Sequence, residues 1–105
     1  MITLGKGKHK VWIKKYNIGD DRVYILGGGE KSHIGGAVIC QPNKELNVIR
    51  LENHKDYIVL KLIAEKISKK YNTKVIVTGG IHIDKATKED INIIINNCRR
   101  LSECI

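Results

Sequence analysis

Phenylalanine is absent from the chain and tryptophan occurs once, at Trp12, so the core has to be built from isoleucine, valine and leucine. A ligand pocket then has few aromatic walls, Trp12 and four tyrosines being the whole supply. Proline also occurs once, at Pro42. The three cysteines, Cys40, Cys98 and Cys104, form no C-x-x-C pair and have no metal-type spacing. Cys40 and Cys98 sit in apolar patterns and read as small buried hydrophobes. No run approaches transmembrane length, and the first ten residues, MITLGKGKHK, lack the apolar core of a signal peptide. With its thiols free, the chain is expected in the reducing cytoplasm, without a membrane partner.

What is present fits one globular unit. A length of 105 residues has room for a single domain, residues 1–105, and 42% hydrophobic content is too high for disorder. The net charge of +8 raises the question of nucleic acid. Lysines are spread from Lys6 to Lys88 with no arginine-rich block, and no aromatic-basic interleaving resembles a base-stacking sheet. Dispersed lysine is a solvated surface whose field favours anionic ligands such as phosphates, and no nucleic-acid partner is expected.

Periodicity predicts an α+β fold in the order ββββαβα. Residues 9–16, 22–26, 36–41 and 46–51 read as four strands of an antiparallel meander, with a turn at Asn17–Asp21. From Asp56 to Tyr71, Ile58, Val59, Leu62, Ile63, Ile67 and Tyr71 recur at helical spacing, with Asn53 and Asp56 placed as N-cap and N3, and Asn72 as the stop. Residues 74–78, KVIVT, are a continuous apolar run typical of a central strand that Gly79 and Gly80 end. A second helix begins after Thr87, capped with Asp90, and carries Ile91, Ile94, Ile95, Cys98 and Leu101 on one face. The expected architecture is a mainly antiparallel five-stranded sheet with two helices packed on one face.

Three turns hold unusual residue combinations. Gly27–Gly36 has five glycines in ten residues, which fits either a flexible hairpin loop or a backbone approached closely by a ligand. It is not a dinucleotide fingerprint, because the spacing differs and a strand follows. Asn53-His54-Lys55-Asp56 opens the first helix, where free N–H groups attract anions. Lys55 there is either a solvated lysine beside a capping box or one compensated by an anion. Gly79–Asp84 joins the central strand to the second helix. If extended, it points His82 and Asp84 one way and Ile81 and Ile83 into the core, so that Asp84 could orient an imidazole. His33, His54, His82 and Asp84 have the donor types for zinc but no recognised ligand spacing. No serine or cysteine stands in a strained nucleophile turn. The three turns are expected to share one cleft at an edge of the sheet.

In this order, GGGEKSHIGGAV, ENHKD and VIVTGGIHIDKATKEDI resemble the prenylated-flavin chaperone-like family, typified by the small D subunit accompanying gallate decarboxylase and related to the proteasome-assembly-chaperone fold. The resemblance spans about residues 5–101. Gly27, Gly28, Gly29, His33, Gly35, His54, Lys55, Gly80, His82 and Asp84 match the family pattern and are the cofactor-binding residues it implies. Ser32, Asn53 and Asp56 depart from it, standing where the pattern has proline, glycine and glutamate. The resemblance implies a non-catalytic accessory protein that binds prenylated flavin mononucleotide (FMN), or FMN itself, and delivers it to a decarboxylase subunit. The rival readings are an assembly chaperone acting by protein contact and a small histidine-based metal-dependent enzyme. Exposed sheet edges, and the dimeric state of the family's cousins, add the expectation of a homodimer.

Overall fold

Segments of period two fold as strands and the two amphipathic segments as helices in the computed structural model, which describes residues 1–51 and 56–105. The elements are β1 (Ile2–Leu4), β2 (Val11–Ile18), β3 (Asp21–Gly28), β4 (Lys31–Cys40), β5 (Asn47–Arg50), α1 (Tyr57–Tyr71), β6 (Val75–His82) and α2 (Lys88–Glu103). They form an α+β domain with one sheet in the order β1-β2-β3-β6-β4-β5.

This sheet corrects the expected four-strand meander within a mainly antiparallel five-stranded sheet in two ways. It has six strands, because the three residues of β1 are too few to show a period in sequence yet pair with β2 from Ile2↔Ile13 to Leu4↔Val11. It is also mixed, because β6 lies between β3 and β4 and runs parallel to β3. The insertion follows from burial. Val75 and Val77 are fully enclosed, and a strand that apolar is best satisfied with a neighbour on each side. The parallel β3–β6 pair requires a long crossover, which β4, β5 and α1 supply.

The glycine-rich stretch is mostly strand. Only Gly29 and Glu30 lie between β3 and β4, and β6 continues through Gly79 and Gly80 to His82 instead of ending at them. Gly79 takes φ +122°, and a Cβ there would collide with the Leu26 carbonyl oxygen of the parallel neighbour. Glycine is therefore what lets β3 and β6 approach at that point.

The helices rest on the face that carries Val11, Ile13, Tyr24, Leu26, Val38 and Val77, and together they enclose one apolar core. α1 is rotated from its expected stripe. Leu60 and Ala64 are buried beside Val59, Ile63 and Ile67, while Ile58 and Tyr71 stay exposed. Asn72 ends the helix in the left-handed conformation at φ 51°. α2 begins with the expected capping box: the Thr87 hydroxyl accepts from the Asp90 N–H and the Asp90 carboxylate accepts from the Thr87 N–H, each at 3.0 Å. Cys40 and Cys98 are buried, as expected for small hydrophobes, and Cys104 is exposed. No helix among the described residues is long and apolar enough to cross a membrane.

Candidate functional site

A local irregularity in the sheet sets up the site. Pairing of β4 with β6 runs from Lys31↔His82 to Ser32↔Ile81 and resumes only at Gly36↔Gly79, so β4 advances four residues while β6 advances two. A bulge of this kind re-aims side chains, and His33 lies within it. Asp56, immediately before α1, meets His33 there: its Oδ2 is 3.1 Å from His33 Nε2, and its Oδ1 accepts the Ile81 N–H at 2.9 Å. The carboxylate is thus held by backbone on one side and imidazole on the other. The His82 ring stands edge-on to that of His33, with centroids 6.0 Å apart.

Two glycines make room for the pair. A Cβ on Gly80 would sit 2.8 Å from the His33 ring and 3.0 Å from Asp56 Cγ, and one on Gly35 would collide with the Asp56 carboxylate. Both positions are buried and neither has a positive φ, so close approach rather than backbone freedom requires glycine here.

The pair closes one end of a cleft of about 300 Å³ between the N-terminal halves of α1 and α2. Ile58 and Val59 of α1 form one wall and Ile91, Ile94 and Ile95 of α2 the other, with Ile81 and Ile83 between them. Its polar groups among the described residues are His33, Asp56 and His82, and neither lysine nor arginine lines it. Cys98, near the carboxylate, is inert: burial first, and then the charge of Asp56, push its thiol up to about 12.

The sequence-derived site residues separate into four groups. His33, Gly35, Gly80 and His82 come together at the polar end of the cleft. Gly27, Gly28 and Gly29 do not line it: they pack against the Trp12 ring, the Lys10 carbonyl and the His82 carbonyl respectively, which makes them sheet-packing positions. His54 and Lys55, with Asn53, lie outside the described residues. Ile81 and Ile83 turn inward and His82 and Asp84 outward, as the alternation predicts. Asp84, however, donates its N–H to Glu30 Oε1 at 2.7 Å and does not line the cleft. The carboxylate that meets an imidazole of the cleft is Asp56, a position that periodicity assigns to the helix start and that the family pattern fills with glutamate. Its position beside His54 and Lys55 was the available signal.

Among the described residues no group of three or more histidine, cysteine, aspartate or glutamate side chains is placed to hold a metal ion. The arrangement offers instead an apolar slot with one hydrogen-bonding end, the usual form of a small-molecule site.

The fold has a counterpart among solved structures. A chain from a chaperone complex for yeast 20S proteasome assembly superposes with a TM-score of 0.61 at 15% identity, covering 98% of this chain and 87% of that one. At that identity the likeness is one of fold. No curated protein shows significant similarity to the sequence. Residues 5–105 match the prenylated flavin chaperone LpdD-like domain, and over that length the chain belongs to this family.

Proposed function

We propose that this protein is a non-catalytic accessory chaperone that binds prenylated FMN, or FMN, and hands it to a decarboxylase. The observation that carries the reading is the slot between α1 and α2, with aliphatic walls and a His33–Asp56–His82 end, in a chain matched almost throughout by a prenylated-flavin chaperone family. A bound flavin supplies its chemistry to the decarboxylase, while the residues of this chain hold and orient it. His33 and His82 present imidazoles at the polar end, Asp56 fixes His33, and Gly35 and Gly80 keep space for that pair. Lys55 and His54, which directly precede Asp56 in sequence, are proposed to meet the phosphate. Titration with prenylated FMN or FMN, followed by flavin absorbance, is expected to show saturable binding. Lys55→Ala is expected to weaken it by a factor of roughly 10 to 150, the loss typical of a charge-assisted contact. Wild type that binds neither flavin would refute the proposal.

A second reading, action through protein contact, is favoured by the sheet face opposite the helices. Val23, Ile25, Ile39 and Ile76 lie there with no element over them among the described residues, and Ile49 beside them is 55% exposed. Lys14, the charge among them, folds over the Tyr16 ring at 5.3 Å. Six strands of three to ten residues, at ~3.3 Å per residue and ~4.8 Å between strands, present roughly 600 Å². That is close to the ~800 Å² per partner of a standard interface. We infer that a second copy stacks on this face, giving a homodimer that leaves both helix-side clefts open.

A further inference from the structure

We infer that the slot between α1 and α2 takes the ring system of a flavin and excludes its phosphate; this rests on the flavin reading proposed above. The lining decides the assignment. A phosphate needs cations or converging N–H donors, whereas the described lining has neither lysine nor arginine and includes a carboxylate that is only 10% exposed. Bringing a dianion beside a desolvated carboxylate is unfavourable twice over, by repulsion and by loss of hydration. A tricyclic ring is the opposite kind of group, apolar on its faces with hydrogen-bonding atoms along one edge. The slot matches it part for part: aliphatic walls on two helices, and imidazoles of His33 and His82 at one end. Its volume of about 300 Å³ lies at the bottom of the range for small-molecule sites, which suits a ring system better than a whole nucleotide.

Two residues mark the mouth. Ile58 on α1 and Ile91 on α2 are large aliphatic side chains that the fold leaves 44% and 49% exposed, and both line the slot. Neither is needed for the buried core, so their apolar surface is available to cover a ligand.

The test compares FMN, riboflavin and inorganic phosphate as probes on wild type, Ile58→Asp, Ile91→Asp and Lys55→Ala, each variant first checked for folding by circular dichroism. Riboflavin is expected to bind wild type saturably, and inorganic phosphate not to displace it. Each isoleucine variant is expected to lose about tenfold in affinity for FMN and riboflavin alike, since both ligands share the buried ring. Lys55→Ala is expected to weaken FMN and leave riboflavin unchanged. Isoleucine variants that bind FMN as wild type does, or riboflavin that fails to bind where FMN binds, would overturn the ring assignment and leave the flavin reading standing. Wild type that binds no flavin overturns both.

Discussion

The contact between Asp56 and His33 joins a helix start to a bulged strand, and its tolerances are small. Gly80→Ala places a methyl group 2.8 Å from the His33 ring with backbone-anchored Asp56 behind it, so one of the two must move. Overpacking of this kind typically costs about 1–3 kcal/mol. A lowered urea midpoint together with a shifted His33 imidazole signal by NMR is the expected outcome. An unchanged His33 signal would show that the pair does not lean on this glycine. Asp90 offers a test by pH. The Thr87 N–H first, and then His9 at 2.8 Å, hold its carboxyl well below the ordinary value of 3.8. A carboxylate depressed on folding stabilises the native state fully above that ordinary value and loses the contribution as pH falls below it. Asp90→Asn is therefore expected to be less stable than wild type by a constant margin from pH 7 to about pH 5. The margin should shrink as pH falls below 3.8. Urea midpoints of both proteins across that series check the direction.

Each helix divides its apolar residues between core and cleft. On α1, Leu60 is fully buried and Ile58 nearly half exposed, although sequence periodicity favours Ile58 and leaves Leu60 off the stripe. Leu60→Ala is expected to cost about 2–5 kcal/mol, as truncations in enclosed cores do. Ile58→Ala is expected to cost less than ~1 kcal/mol, within the range of surface substitutions lacking special contacts. Thermal or urea denaturation of the two variants distinguishes the observed rotation from the predicted one, which would reverse their order. α2 is secured at its start from outside the helix as well. Lys8 and His9 reach Asp90, and the Asn97 amide donates to the His9 carbonyl at 2.9 Å, so the short 3-10 turn at Gly7–His9 is tied down on α2.

At the level of the whole molecule, two layers leave one sheet face without cover among the described residues. Exposed sheet edges raise the expectation of dimerisation, but the edges are short: β1 has three residues and β5 four. The larger apolar surface is the open face, and stacking there is the proposed mode. Light scattering at micromolar concentration is expected to give twice the 11.9 kDa chain mass. Ile76→Lys, at a central position of that face and 36% exposed, is expected to return the mass to that of one chain with little loss of stability. A monomeric wild type would sink the dimer, and a dimeric Ile76→Lys would move it elsewhere. Flavin titration of Ile76→Lys then tells whether the helix-side slot works without the partner.

By itself the sequence determined what depends on neighbours within about four residues. The period-two and period-3.6 segments, the Thr87–Asp90 box, the left-handed stop at Asn72 and the outward turn of His82 and Asp84 were all legible, because hydrogen bonding and side-chain direction within a helix turn or strand are local. Tertiary structure alone decided what depends on distant segments meeting. The placement of β6 between β3 and β4, the contact of Asp56 with His33, and the facing of Ile58 and Ile91 across the slot each join residues more than twenty positions apart. The glycines show the same division. Their density announced close approach, but whether the approaching group was a ligand, a strand or a side chain depended on strand order. Gly79 receives the Leu26 carbonyl, Gly27 the Trp12 ring, and Gly35 and Gly80 the Asp56 carboxylate, because a missing Cβ states only that something is near.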